Sequence, residues 1–121
     1  MTQSTPPRLC RAAPEIPVQD LDAALAYYSD HLGFRTRSRT PDGDYAVIQR
    51  DDVALHLFKG SAAAAPASCH IFASGLDALS AELSERGARI VQPVELKPWG
   101  TRDFRVADPY GNEIKFTEPV N

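Results

Sequence analysis

From Pro98 to Phe116 the chain runs Pro-Trp-Gly-Thr-Arg-Asp-Phe-Arg-Val-Ala-Asp-Pro-Tyr-Gly-Asn-Glu-Ile-Lys-Phe, two strands and the turn that joins them. Asp108 can bond its own downstream backbone, and Pro109 presets φ for the first corner of the turn. Gly111 and Asn112 tolerate the left-handed conformations that close the reversal. Phe104 and Val106 before the turn, and Ile114 and Phe116 after it, alternate with polar residues, as strands buried on one face do. Whatever else the chain builds, it must accommodate this hairpin.

Length limits what can surround it. A chain of 121 residues makes one domain and buries roughly two-thirds of its unfolded surface, enough for its own core. Apolar content of 43% and charged content of 24% are ordinary for a globular protein. No apolar run approaches the ~20 residues of a bilayer span, so no membrane partner is expected. Met1 to Arg8 is polar and proline-rich, which predicts a short loose arm rather than a signal peptide. The net charge is −3, and Lys and Arg are scattered rather than gathered in a stripe, which argues against a nucleic-acid partner. Mild acidity suits a cationic ligand but is common among cytoplasmic proteins. Cys10 and Cys69 show neither metal spacing nor C-x-x-C, which predicts reduced thiols, a cytoplasmic location, and Cys69 buried in a strand.

Two further segments look alike. Leu21 to Phe34 and Leu76 to Ala88 each read as a helix ending at a glycine. Asp20 and Gly75-Leu76-Asp77 supply start signals, Leu21, Ala24, Leu25 and Tyr28 recur at helical spacing, and Gly33 and Gly87 stand where helices stop. A short strand precedes each helix, Ala13 to Val18 and Cys69 to Ala73. Tyr45 to Arg50 and Val53 to Phe58 follow the first helix; Ile90 to Glu95, Phe104 to Val106 and Glu113 to Thr117 follow the second. The chain is thus a β-α-β-β-(β) unit used twice, with a repeat of about 55 to 60 residues. Module one covers about residues 12–60, an Ala- and Ser-rich linker residues 60–68, and module two about residues 69–118. The expected class is α+β, with helices on one face of each antiparallel sheet, so each other face must find a partner or line a cavity.

The tandem arrangement, with Pro17-Val18-x-Asp20-Leu21-Asp22, Leu32-Gly33-Phe34, Arg50-Asp51-Asp52-Val53-Ala54-Leu55 and the Pro98-Trp99-Gly100…Asp108-Pro109-x-Gly111-Asn112 hairpin, resembles the vicinal oxygen chelate superfamily. Within it the chain looks most like the bleomycin resistance proteins, from about Ala12 to Glu118. The resemblance implies tandem βαβββ modules forming paired, strongly curved antiparallel sheets with helices outside. Enzymes of this superfamily hold one divalent metal with four His or Glu side chains, and catalysis needs an open coordination position beside them. Carried over, the first ligand position falls on Ala13 and the second on His56. The third falls on Ser68 by spacing or on His70 by its strand start. The fourth falls on Lys115, a cation where a carboxylate is required, with Glu113 the one nearby substitute. His56, His70 and Glu113 are therefore weak metal candidates, and no cofactor is expected.

The strand faces offer an aromatic and polar lining instead: His56 with Phe58, His70 with Phe72, and Glu113, Lys115 and Thr117. A lone histidine on a strand is commonly a hydrogen-bonded pocket residue, Phe58 and Phe72 can equally fill core, and His31 near the end of a helix compensates its dipole. Trp99, in a Pro-Trp-Gly turn, has little reason to be core and is expected to meet a ligand or a second subunit. Bleomycin resistance proteins hold their planar, cationic drug in a groove between two subunits. The resemblance implies a homodimeric binding protein that sequesters a small molecule, with Tyr45, His56, Phe58, His70, Phe72, Trp99 and Lys115 lining the groove and Pro14 to Pro17 reaching to the partner. Arg35, Arg37 and Arg39 depart from the family, because they repel a cation unless they face away. Two alternatives stay open: a metal-dependent lyase, isomerase or dioxygenase, and a binder of another aromatic or anionic molecule.

Overall fold

The structure is a computed structural model that describes residues 5–61 and 63–119. The first four residues of the expected arm lie outside that range; residues 5–12 are exposed and form neither helix nor strand. The elements run β1 (Glu15–Val18), α1 (Leu21–Leu32), β2 (Arg35–Arg39), β3 (Tyr45–Arg50), β4 (Val53–Lys59), β5 (Ser68–Phe72), α2 (Leu76–Glu85), β6 (Arg89–Leu96), β7 (Thr101–Ala107) and β8 (Glu113–Pro119). Sheet one has the order β1-β4-β3-β2 and sheet two β5-β8-β7-β6, so each βαβββ unit is wound alike. Both sheets are mixed: β1 runs parallel to β4 and β5 parallel to β8, the other pairings being antiparallel.

β2 is a strand that the sequence pattern does not announce. All five of its side chains are exposed, so no apolar alternation marks it, and its order comes from backbone pairing to β3 with an irregularity between Thr36 and Ser38. An arginine-rich edge of this kind also resists pairing with a foreign strand.

The segment Pro14 to Pro17, expected to reach a partner subunit, instead lies in the sheet of its own chain. β1 pairs with β4, the His56 N–H donates to the Pro14 carbonyl at 3.0 Å, and Ile16 and Val18 are fully buried. Their alternation draws the segment inward, and Pro17 is tolerated because β1 is an edge strand. Cys69 lies in β5 as expected but is only half-buried, since β5 is an edge strand too.

Asp20 caps α1 by accepting from the Ala23 N–H at 3.0 Å, and Gly33 closes it with φ 75°. α1 packs on β2 to β4, and α2 on β6 to β8. One core runs through both modules, from Ile16, Tyr28 and Leu57 to Leu83, Phe104 and Ile114. The turn after β7 locks the modules together. Asp108 is buried; its Oδ1 accepts from the Tyr110 and Asn112 N–H groups, and its Oδ2 accepts from the Tyr28 hydroxyl at 2.9 Å and the Asn112 amide at 2.8 Å. Asn112 also donates to the Pro17 carbonyl at 2.8 Å, and Tyr27 to the Ala107 carbonyl at 2.8 Å. Burial and the neighbouring Asp108 both push the Tyr28 phenol far up, so it stays a donor. Phe104 faces Phe116 and Val106 faces Ile114 across the hairpin, as the alternation requires.

Candidate functional site

With a helix on one face of each sheet, the other face of each is open, and strand register shows which side chains share it. On sheet one, Glu15 lies across from His56, His56 from Val47, and Tyr45 from Phe58. Tyr45, His56 and Phe58 therefore share the open face. The Tyr45 hydroxyl donates to Glu15 Oε2 at 2.7 Å and lies 2.6 Å from His56 Nδ1, the two rings meeting edge to face at 5.6 Å. One hydroxyl proton serves one acceptor, so the shared geometry is satisfied when Nδ1–H donates to the phenol oxygen. The bond to Glu15 raises the Tyr45 phenol above its ordinary value.

On sheet two, His70 lies across from Lys115, Phe72 from Thr117, Lys115 from Arg105 and Thr117 from Asp103. His70 Nε2 bonds the Thr117 hydroxyl, and its ring stacks on Phe72 with centroids 4.7 Å apart. Desolvation and then the charge of Lys115 hold His70 below the ordinary imidazole range; Asp103 pulls the other way, and Arg105 adds a smaller lowering. Phe72 is 68% exposed and Trp99, at the tip of the β6–β7 turn, 71% exposed. Gly100, at φ 91°, closes that turn by donating to the Lys97 carbonyl.

The seven residues expected to line one groove thus fall into two groups, Tyr45, His56 and Phe58 on sheet one and His70, Phe72 and Lys115 on sheet two, with Trp99 on a turn beyond. The cavities that touch His70, of about 210 and 380 Å³, include none of the sheet-one group. A third cleft of about 510 Å³ lies between the β3–β4 hairpin tip and α2. It is floored by Phe34, Ile71 and Phe116 and crossed by Arg50, whose guanidinium holds Glu82 through two bonds of 2.7 and 2.8 Å. That pairing keeps the Glu82 carboxyl below its usual range.

The arginines after α1 separate by face. Arg39 lies across from Ala46 on the helix side and pairs with Asp22 at 2.6 Å, while Arg35 lies across from Gln49 on the open side. Arg105 is the residue that the sequence pattern overlooks. Counting five residues back and five forward from Tyr110, the middle of the turn, would have set the two cations opposite each other.

The superfamily metal does not fit the donors present. Ala13 offers no donor, His56 bonds Tyr45 through Nδ1 and has Nε2 alone to offer, and His70 faces Lys115 from another sheet. Among the described residues no three His, Cys, Asp or Glu side chains converge where a metal could be held. Nor is any described helix long and apolar enough to cross a membrane.

Comparison with solved structures finds the same architecture in a bleomycin-binding protein complexed with bleomycin, 25% identical, with 91% of this chain and 98% of that one covered at a TM-score of 0.79. The bleomycin-binding protein of bleomycin-producing Streptomyces verticillus, complexed with copper(II)-bleomycin, is 28% identical, with 92% and 97% covered at a TM-score of 0.77. A bleomycin resistance determinant encoded on the transposon Tn5 shares the fold at 24% identity and a TM-score of 0.80, with 92% and 98% covered. No curated protein matches significantly by sequence. The family model "Glyoxalase/Bleomycin resistance protein/Dioxygenase superfamily" matches residues 11–116. A match over that length, on two modules wound alike, means that the chain belongs to the glyoxalase/bleomycin resistance protein/dioxygenase superfamily.

Proposed function

We propose that this chain is a non-catalytic binding protein of the bleomycin-resistance type, which sequesters a small molecule in a groove completed by a second copy of itself. The observation that carries the reading is Phe72, a large aromatic left in water on the open face of sheet two and stacked on His70. Exposed aromatic surface beside polar groups is what a ligand or a second subunit covers. A two-fold dimer would bring Tyr45, His56 and Phe58 of one copy toward His70, Phe72 and Lys115 of the other. The donor set, poor for a metal, supports binding over catalysis, and two similar proteins bind bleomycin by their names. The expected location is the cytoplasm, and the expected partners are the ligand and a second copy.

Two measurements test this. Sedimentation should give about twice the chain mass of 13.2 kDa; a mass near 13 kDa would remove the shared groove. Titration with bleomycin, read through Trp99, the sole tryptophan, should quench its fluorescence saturably at micromolar drug. The absence of quenching favours the second reading, a binder of another aromatic or anionic molecule, which Arg35 and Lys115 on the open faces support. Stoichiometric Zn, Ni, Mn or Fe in the purified protein would overturn the non-catalytic reading altogether.

A further inference from the structure

Strand β7 carries a cation across the open face of sheet two that the reading above leaves unused. Arg105 lies directly across from Lys115, and Lys115 across from His70. With Ser68, Cys69 and Glu113 they line a pocket of about 210 Å³. Like charges set opposite each other on neighbouring strands repel, and the counter-charge here is thin. Glu113 approaches one terminal nitrogen of Arg105 only to 3.6 Å, and Lys115 has no ion-pair partner among the described residues. Asp103, two residues along β7, is already engaged by Gln92 at 2.6 Å and by Lys97 at 3.7 Å. The Nε of Arg105 is buried with no hydrogen-bond partner among the described residues. A buried donor of this kind is costly until something accepts from it.

We propose that Arg105, Lys115 and His70 form a carboxylate-binding subsite, and that the ligand of this face is a planar aromatic acid. The terminal nitrogens of the Arg105 guanidinium, on a side chain 40% exposed, are suited to the oxygens of one carboxylate, and Lys115 adds a point charge from the facing strand. His70 borders both this pocket and the neighbouring cavity of about 380 Å³, lined by Pro14, Ala54, Leu55 and Phe72 among others. A planar body laid against the stacked His70 and Phe72 rings therefore leads from the larger cavity to a carboxylate in the smaller. The inference rests on the reading that sheet two's open face binds a ligand, and it needs neither bleomycin nor dimerisation.

Amide NMR of the intact protein, titrated with sodium benzoate, benzamide and sodium phosphate, tests it. Benzoate should bind at millimolar concentration and move the amides of Ser68 to Phe72, Arg105 and Glu113 to Thr117, with benzamide at least tenfold weaker. Arg105→Met and Lys115→Met should each weaken benzoate at least tenfold, and Arg105→Lys, which keeps the charge and loses the fork, should fall between. The spectra themselves report whether each variant is folded. Equal binding of benzoate and benzamide, no shifts on these strands, or folded variants that bind like the parent would overturn the subsite. Phosphate binding as well as benzoate would overturn the planar acid. Benzoate binding without bleomycin quenching would remove the antibiotic and keep the subsite; the reverse result would remove the subsite alone.

Discussion

The two sheets present the same three register positions on their open faces and fill them with opposite chemistry. Glu15 on β1, His56 on β4 and Val47 on β3 occupy in sheet one the places that His70 on β5, Lys115 on β8 and Arg105 on β7 occupy in sheet two. Glu15 stands six positions before the start of α1 and His70 six before the start of α2, so the match holds along the chain as well as across it. In sheet one an acid, an imidazole and the Tyr45 hydroxyl satisfy one another. In sheet two an imidazole faces two cations, and one guanidinium nitrogen has no acceptor among the described residues. Repetition of a fold thus fixes where side chains point and leaves free what they carry, and in this chain only the second copy is electrostatically unfinished.

The two sheets are held in one relation by the turn after β7, so the largest effect comes from breaking that joint. Asp108→Ala strips the acceptor from Tyr28, from the Asn112 amide and from two backbone N–H groups, three of the four donors belonging to the buried Tyr28 and Asn112. Orphaning several buried donors at once belongs to the severe tail of single substitutions, roughly 3–5 kcal/mol. Urea denaturation should show that loss as a lower midpoint. A loss under about 1 kcal/mol would mean that the modules do not depend on this turn.

A smaller effect separates the two faces directly. Tyr45→Phe removes the hydroxyl that links Glu15 and His56 and should cost about 1 kcal/mol, a usual net value for such bonding. Thr117→Val removes the partner of His70, but that ring is exposed and water replaces the bond, so the cost should stay below about 0.5 kcal/mol. Equal losses in the two variants would erase the distinction between a finished face and an unfinished one.

How much of this was legible beforehand follows the same division. Apolar alternation and end signals marked both helices and every strand with a buried face, because burial leaves a period in the sequence. β2 left none, since Arg35 to Arg39 are all exposed and only backbone pairing orders them. Asp108 was legible as a turn residue but not as the joint between modules, because its partners Tyr28 and Asn112 lie 80 and 4 residues away and only the fold brings all three together. The candidate lining residues were legible by strand alternation, whereas Arg105 was not, because an isolated arginine between Phe104 and Val106 looks like any solvent-facing position. Its meaning appears from the register that sets it against Lys115, which counting through the turn would also have shown.

The mildest test reads the field on sheet two without disturbing the fold. His70 is held below the ordinary imidazole range first by desolvation and then by Lys115, with Arg105 adding to and Asp103 opposing that effect, and Glu113 lining the same pocket. Folding therefore favours the neutral ring, and the unfolded chain takes up a proton more readily. His70 carries no penalty above the unfolded imidazole pKa of about 6.5. Below it, stability is lost progressively as pH falls toward the lower folded value. Because the ring is exposed, solvent screens most of this, and the change in stability should be smaller than that from Tyr45→Phe. The ring proton resonances give a cleaner reading: Lys115→Met should raise the pKa of His70. If His70 does not move, desolvation alone sets its state, and the cations opposite it exert no field that a bound carboxylate would answer.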